Sequence, residues 1–349
     1  MTRLRARVAV LLPSLTLAVT AVASPASASS ATSPATQNLG QAAAGWLARQ
    51  MVGGSHFTDT FDGKTFPDQG LTIDSIFAFA ATGTADNYGM RAIAWLARPH
   101  IMSNYIGNGT TSSFAGATAK LMLAAEVRGV DPAAFGGVNL PDRLAGLLTA
   151  SGRYSDQSRF GDFSNAFSQS LAILATTRLG GAPASAVSFL VSTECADGGF
   201  PLEFGASTCA DDADATAMDV QALLAAGQTA PAERGLHWLA RAQQPDGGLA
   251  ESAGDAPDAD STGLAGEAFA AADWHMRAVL ARQFLTSLQV GCSGPPRERG
   301  AIAFDTTGFA KSTAARATGQ GALGLADVGL ARLTSAGSRS GDPRLGCSS

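Results

Sequence analysis

Aromatic and charged residues are scarce in this sequence, and basic residues are not clustered. Aromatic residues make up 7% of the 349 residues, charged residues make up 15%, and the net charge is −5. Proteins that bind nucleic acids concentrate lysine and arginine on one face, often beside aromatic side chains. No such stretch follows the first seven residues. Nucleic acid is therefore not an expected partner.

Several short motifs of common enzymes and metal sites are also absent. There is no Cys-x-x-Cys pair, no His-Glu-x-x-His and no Gly-x-Ser-x-Gly. These patterns would have indicated a zinc site, a zinc protease or a serine hydrolase. No stretch of useful length alternates apolar and polar residues as a half-buried strand does. The sequence thus indicates an all-α protein, and we expect no cofactor and no bound metal.

The N-terminus has the pattern of a secretory signal peptide. Three arginines among the first seven residues precede an apolar stretch at residues 8–22 and the small residues Ala26, Ser27 and Ala28. These are the three parts of such a signal. The apolar stretch is shorter than the roughly 20 residues of a membrane span. We therefore predict a signal peptide at residues 1–28, a flexible leader at residues 29–36, and a secreted monomer with no transmembrane segment after cleavage.

Four cysteines in an exported chain favour disulfide bonds. Three pairings are possible. We prefer Cys195–Cys209, because both residues flank one loop, and Cys292–Cys347, because that bond would pin the C-terminal tail. The alternative is a metal site, although no histidine is close in sequence to either pair.

An apolar segment rich in small residues recurs along the chain, each time after a polar loop. The six copies lie at residues 71–82, 114–127, 164–178, 215–226, 261–272 and 312–325. Aligned on Thr72, Ala115, Asn165, Thr216, Thr262 and Thr313, they are spaced 43 to 51 residues apart. A period in this range is typical of an array of helix pairs.

A second type of helix fills the gaps between these segments. Its six copies lie at residues 42–51, 88–98, 140–149, 184–192, 232–243 and 276–290. Three of them contain Trp-Leu-Ala-Arg, beginning at Trp46, Trp95 and Trp238. We interpret these tryptophans as helix-packing residues. Six alternating helix pairs could form either an open solenoid or a closed ring, and the residues alone do not decide between the two.

Two motifs in these repeats resemble the terpenoid cyclase/protein prenyltransferase superfamily. One is Q-x-x-D-G-G-[FL] after an outer helix, and the other is D-x-D-x-T-A at the start of an inner helix. The matching residues are Asp197, Gly198, Gly199 and Phe200; Gln243, Gln244, Asp246, Gly247, Gly248 and Leu249; and Asp212, Asp214, Thr216 and Ala217. The resemblance implies a single closed α/α toroid of six helix pairs at residues 37–330, with a central cavity. Residues 331–349 would form the pinned tail.

Asp214 is the candidate catalytic acid that the resemblance implies. Class II terpene cyclases protonate an alkene with the middle aspartate of D-x-D-D-T-A, and Asp214 occupies that position with Asp212 before it. The sequence departs from the motif at Ala215, where the family has its third aspartate. The motif also returns at residues 258–262. A catalytic acid is needed once, whereas a helix cap is needed in every repeat, so a capping or loop-ordering carboxylate is the competing interpretation.

Other features argue against catalysis. Cyclases stabilise carbocations with aromatic faces, but the inner helices offer mainly Phe77, Phe167 and Phe269 as candidate ligand-binding aromatics, besides Phe79. The family's zinc-dependent prenyltransferases would use Cys209, for which no histidine partner is recognisable. The acidic residues near Asp197 and Asp211 could bind calcium, although solvated or capping carboxylates are the simpler interpretation.

The sequence therefore favours a non-catalytic binding or surface protein that uses the central cavity or one rim of the toroid. Its partner would be an apolar small molecule or a cell-surface component. An atypical class II terpene cyclase with Asp214 as the general acid is the alternative. A deep aromatic cavity around Asp214 would favour the enzyme, and a narrow centre would favour the binding protein.

Overall fold

Six buried helices form the centre of the molecule. The computed structural model describes residues 33–348, so the predicted signal peptide lies outside the described residues. The inner helices are α2 (Gln69–Thr82), α5 (Ala115–Val127), α7 (Ala166–Arg178), α9 (Ala213–Ala225), α11 (Ala259–Ala271) and α13 (Ala314–Ala326). Each lies where the sequence predicted an inner helix. They are apolar on all sides because they are covered on all sides: ten of the thirteen residues of α9 are buried.

The other helices lie outside this ring. They are α1 (Leu39–Gln50), α3 (Asp86–Leu96), α4 (Pro99–Ile106), α6 (Leu140–Ala145), α8 (Ala184–Ser192), α10 (Thr229–Ala242) and α12 (His275–Leu288). They are amphipathic: α10 buries only Pro231, Ala232, Gly235, Leu236 and Leu239, which form one stripe. Helix α4 was not predicted. Pro99 looked like a loop residue, but proline is well tolerated in the first turn of a helix.

The ring is closed. Each inner helix contacts the next along the chain, and α13 contacts α2 and α1. The prediction of an all-α toroid of six helix pairs is confirmed, and the choice between an open and a closed array is decided. Aspartates cap three inner helices, with Asp68, Asp212 and Asp258 accepting backbone N–H groups.

Strands are short and lie at the edges. They are β1 (Ala35–Thr36), β2 (Phe57–Phe61), β3 (Lys64–Asp68), β4 (Ser112–Ser113), β5 (Gln157–Ser158), β6 (Phe200–Pro201), β7 (Asp211–Asp212) and β8 (Arg344–Leu345). The pairs β2–β3, β4–β5 and β6–β7 are antiparallel, and β1–β8 is parallel. The hairpin β2–β3 was not predicted, because nearly all its residues are exposed and no alternation of apolar and polar residues marks it.

A hydrogen bond at an equivalent place ties five of the six loops to the inner helix that follows. The backbone N–H of Phe57, Phe200, Leu249 and Ile302 donates to the hydroxyl of Thr72, Thr216, Thr262 and Thr318, respectively, at 2.8–3.0 Å. In α7 the Tyr154 N–H donates instead to the Gln169 side chain, at 2.9 Å. The structural repeat therefore passes through Gln169 and Thr318, four and five residues beyond the aligned Asn165 and Thr313.

The first glycine of the D-G-G motif permits a close contact between a loop and the following outer helix. Gly247 has φ +94°, and a Cβ there would lie 2.0 Å from the carbonyl oxygen of Leu280 in α12. Gly198 has φ +96° and lies in the same way against Arg234 in α10. The motif that carried the family resemblance is thus explained by packing, because only glycine fits this backbone and this approach.

Both disulfide bonds are as predicted. Cys195 and Cys209 are bridged with their Cα atoms 5.7 Å apart, and Cys292 and Cys347 with theirs 5.6 Å apart. The second bond holds a segment that we call the C-terminal strap (residues 327–347).

The C-terminal strap crosses the C-terminal ends of the inner helices. Arg178 donates to the carbonyl oxygens of Ala331 and Leu333 at 2.7 and 3.0 Å. The Ser335 N–H donates to the Val127 carbonyl, and Arg339 N–H to the Gly83 carbonyl. The strap therefore closes one end of the ring. Its pairing through β8 also orders Ala35 and Thr36, the last residues of the predicted leader.

The three repeated tryptophans lie on outer helices, and each packs against the loop that precedes the neighbouring inner helix. Trp46 donates from Nε1 to the Arg297 carbonyl at 3.0 Å. Trp95 stacks on His56 with ring centroids 4.4 Å apart, and Trp238 donates from Nε1 to Asp197 Oδ2 at 3.1 Å. Their positions are therefore equivalent, although Trp238 is more exposed than the other two.

This difference in burial predicts a difference in stability. Trp46 is 4% exposed, so Trp46→Ala should lower the free energy of unfolding by about 3–5 kcal/mol. Trp238→Ala removes a partly exposed ring and should cost less than about half of that amount. Urea denaturation of the two variants measures both values. Equal costs would show that the two rings do not pack as described.

Candidate functional site

The ring encloses a small central cavity. All six inner helices contribute to its wall, and the strap contributes one residue. The lining residues are Asp74, Phe77, Lys120, Phe167, Leu171, Met218, Leu264, Glu267, Gln320, Leu323 and Leu330. The cavity volume is about 50 Å³.

The strap closes the cavity at the C-terminal end of the ring. Leu330 is 4% exposed and lines the cavity wall, and its N–H donates to the Gln221 side chain at 2.9 Å. Sites for drug-sized ligands have volumes of about 300–1,000 Å³. The central cavity is far below that range, because side chains from the inner helices and Leu330 fill the middle of the ring.

Buried carboxyl groups surround this cavity. Asp74 pairs with Lys120 at 2.6 Å. Glu267 is 1% exposed, and neither of its carboxyl oxygens has a hydrogen-bond partner among the described residues. Burial raises the pKa of Glu267 well above its ordinary value, and burial does the same for Asp219, whose carboxylate accepts a hydrogen bond from Ser170.

Asp212 and Asp214 have different roles. Asp212 is the N-cap of α9, and its Oδ1 accepts the Ala215 N–H at 2.7 Å. Asp214 caps nothing: its Oδ1 is buried and has no hydrogen-bond partner among residues 33–348. Burial, reinforced by nearby carboxylates such as Asp212 and Glu251, raises the pKa of Asp214 to about 7. Asp214 lies one turn before Met218 and is not in the wall of the central cavity.

The next repeat contains the same pair. Asp258 caps α11, and Asp260 has a buried Oδ1 without a partner in the described part of the chain. Burial and Asp258 raise the pKa of Asp260 to about 7 as well. Two equivalent acids in adjacent repeats indicate a property of the repeat rather than a single reactive group.

The candidate ligand-binding phenylalanines separate into two groups. Phe77 and Phe167 line the central cavity. Phe269 is fully buried away from it and stacks on Trp274, with ring centroids 6.3 Å apart. Its position is explained by packing between α11 and the start of α12.

The side chains of the described residues do not support the zinc site or the calcium site considered from the sequence. Cys209 is in a disulfide, so it has no thiolate to offer the zinc of a prenyltransferase-like site. In residues 33–348 no group of three or more His, Cys, Asp and Glu side chains is placed to hold a metal ion. No helix in that part of the chain is long and apolar enough to cross a membrane.

A surface groove of about 430 Å³ lies where the loops preceding α9 and α11 meet. Its polar side chains include Asp197, Asp211, Glu251 and Asp255, with the ring of Trp238 beside them. Arg241 also lines it and donates to the Asp197 carbonyl at 2.8 Å. We call it the acidic groove. The sequence showed two acidic loops and a repeated tryptophan, but not that α10 brings the indole between them.

Two other surface grooves lie near the opposite end of the ring. One, of about 510 Å³, is lined mainly by small residues such as Ala182, Ala184 and Ala225. The other, of about 520 Å³, contains Glu126 and Arg178, which lie 3.4 Å apart. Arg178 also anchors the strap, so the charged groups of this groove have structural partners.

The molecule shares its α/α toroid fold with type II terpene cyclases of known structure. Similar solved structures include a protein from Actinoplanes, with a TM-score of 0.61, 14% identity, and coverage of 83% of this chain and 98% of that one. The type II terpene cyclase MstE from Scytonema, without ligand, has a TM-score of 0.60, 16% identity, and coverage of 83% and 96%. An MstE variant in complex with its substrate, geranylgeranyl dihydroxybenzoate, gives the same values.

The likeness is visible in the structure and not in the sequence. No protein-family model and no curated protein matches the chain. At 14–16% identity, the structural likeness concerns the fold and not the activity.

Proposed function

We propose that this chain is an exported, monomeric, non-catalytic binding protein that engages its partner at the N-terminal rim. We define this rim as the loops that precede the six inner helices. The observation that carries the proposal is the size of the central cavity, about 50 Å³, which leaves the surface as the place for a partner. The acidic groove, of about 430 Å³, is preferred over the two larger grooves because it places carboxylates beside Trp238, whereas those grooves carry small side chains or charges with structural partners. An apolar small molecule of the kind expected from the sequence has no room in the centre.

Export is supported by two independent features. The first 28 residues have the three parts of a secretory signal. All four cysteines form disulfide bonds, which persist in oxidising compartments. A monomer is favoured because the ring is closed, so no unpaired repeat is left at either end to associate with another copy.

Native mass spectrometry of the protein recovered from the culture medium tests the role of the central cavity. The expected mass is that of the processed polypeptide with two disulfide bonds and no small molecule. A ligand that stays bound until the protein unfolds, and that is lost when Phe77 and Phe167 are replaced by smaller residues, would overturn the proposal.

A second candidate function, terpene cyclisation, is favoured by one observation. Asp214 is buried with a pKa of about 7, so a large fraction is protonated at neutral pH, as an acid that protonates an alkene must be. MstE, which shares the fold, binds a geranylgeranyl substrate. Two observations oppose cyclisation: Asp214 does not reach the central cavity, and the cavity is too small for a geranylgeranyl chain.

A cyclase assay separates the two candidates. The wild type and Leu330→Ala, which enlarges the cavity, should both leave geranylgeranyl substrates unconverted. A cyclised product from either protein that disappears on adding Asp214→Asn, but not on adding Asp212→Asn, would establish the enzyme and contradict the binding proposal.

A further inference from the structure

The N-terminal rim displays an unusual number of exposed phenylalanines. All five exposed phenylalanines of the described residues lie on it, in the loops preceding α2, α7 and α13. Their exposed fractions are 78% for Phe61, 49% for Phe66, 69% for Phe160, 68% for Phe163 and 36% for Phe304. Single exposed apolar residues need no explanation, but a cluster on one face marks an interaction site. We call these residues the aromatic arc.

Two of the three remaining rim loops, those preceding α9 and α11, are acidic. The loops at residues 195–212 and 244–258 each carry four carboxylates and no lysine, arginine or histidine. Several of these carboxylates line the acidic groove. By contrast, the loops of the aromatic arc carry charges of both signs, such as Asp62 and Lys64. The two parts of the rim would therefore select different side chains of one partner.

The two parts are continuous. The Ala166 N–H, which follows the loop of Phe160 and Phe163, donates to the carbonyl of Leu202 in the acidic loop at 3.0 Å. At the other end, the Phe304 carbonyl accepts the N–H of Ala259 at 2.7 Å, directly after the second acidic loop. A single ligand can therefore span apolar and acidic surface without leaving the rim.

The acidic groove contains a place for a cation. The Asp211 Oδ1 atom is buried and has no hydrogen-bond partner within residues 33–348. A Cβ on Gly199 would come within 2.3 Å of that oxygen and 2.8 Å of Trp238 Nε1, which places the carboxyl and the indole side by side. Ammonium and guanidinium groups form strong, charge-assisted hydrogen bonds to such a carboxyl group.

From this arrangement, and resting on the rim function proposed above, we propose that the partner is a basic amphipathic polypeptide. Its apolar side chains would contact the aromatic arc, and its lysine or arginine side chains would enter the acidic groove. Charge complementarity favours a basic partner, because the carboxylates of the two acidic loops would repel anionic lipid surfaces and nucleic acids.

Fluorescence anisotropy with labelled peptides of about 18 residues, long enough to form an amphipathic helix, tests this proposal. The three probes are a lysine–leucine peptide, a glutamate–leucine peptide of the same pattern, and a lysine–serine peptide. The exported full-length protein should bind the first at least roughly tenfold more tightly than either of the others. Its affinity should fall as salt is added.

Paired variants locate the binding. Asp211→Asn with Glu251→Gln, and separately Phe160→Ser with Phe163→Ser, should each weaken lysine–leucine binding by at least roughly tenfold. Glu233→Gln and Met276→Ser, which change exposed residues on outer helices, are the matched controls and should leave it unchanged. Circular dichroism establishes that all variants keep the wild-type melting temperature within the error.

The remaining outcomes separate the two proposals. In one outcome, the glutamate–leucine peptide or phosphatidylglycerol vesicles bind more tightly than the lysine–leucine peptide, and the Phe160 and Phe163 substitutions abolish that binding. The rim is then the binding site, but the proposal of a basic polypeptide partner is wrong. If the lysine–leucine peptide binds and no rim substitution weakens it, both proposals are wrong.

Discussion

Lowering the pH from 8 to about 5.5 is expected to raise the melting temperature by more than about 5 °C. The cause is a set of carboxyl groups whose pKa is raised by burial. The pKa values of Glu126, Asp214 and Asp260 are raised to about 7, and those of Asp219 and Glu267 are raised well above their ordinary values. The maximum stability of most proteins lies between about pH 5 and 8, so a rise of this size within that range is diagnostic.

The sign follows from proton binding. A group with a raised pKa in the folded state holds its proton more tightly there than in the unfolded chain. Its contribution is therefore fully present below the unfolded pKa and is lost as the pH rises through the folded pKa. Each group with a folded pKa of about 7 should contribute about 2 kcal/mol at pH 5.5 relative to pH 8. His56, whose pKa is lowered by burial, opposes the trend only toward the acid end.

Substitutions identify the groups responsible. Asp214→Asn and Asp260→Asn replace each acid with a neutral side chain of the same shape, and each should reduce the slope of melting temperature against pH. Glu233→Gln, on the exposed face of α10, should leave the slope unchanged. A melting temperature that stays level or falls from pH 8 to 5.5 would show that these carboxyl groups are not buried as described.

The second large effect is expected from Gly247→Val. A side chain at φ +94° is strained, and the added Cβ would lie 2.0 Å from the Leu280 carbonyl. The strain of a left-handed backbone costs about 1–2 kcal/mol, and displacing α12 to relieve the overlap should cost about 1–3 kcal/mol more. We expect a total loss of about 2–5 kcal/mol in the free energy of unfolding, measured by urea denaturation.

Gly254 provides the matched control. It has φ +99° in the same loop, but no atom lies within 4 Å of a Cβ placed there. Gly254→Val should therefore show only the backbone strain, about 1–2 kcal/mol. If the two variants lost the same stability, the close contact between the D-G-G turn and α12 would not explain the motif.

The helices of the ring were predictable because their signal is local. An inner helix is apolar over more than three turns, and a loop with glycine and aspartate precedes it, so its position could be read without knowing its neighbours. The alignment of the repeats was less accurate. Gln169 performs the role of a threonine with an amide, and Thr318 is the fifth rather than the fourth residue of its helix. Matching residue types therefore led to Asn165 and Thr313.

The candidate site was less predictable, because it depends on contacts between distant residues. The strap has no periodic pattern, and nothing in its sequence shows that Leu330 reaches the centre of the ring. The cavity volume is set by how side chains from six helices and the strap fill the middle. The duplicated D-x-D pattern did indicate that Asp214 was not unique, and Asp260 has the same environment one repeat later.

Hydrogen–deuterium exchange with and without the lysine–leucine peptide tests most directly whether the rim, rather than the central cavity, is the binding site. We predict slower exchange in the rim loops at residues 57–68, 153–165, 195–212 and 244–258, with the C-terminal strap unchanged. Slower exchange confined to the strap around Leu330 and to the walls of the central cavity, with the rim loops unaffected, would contradict it.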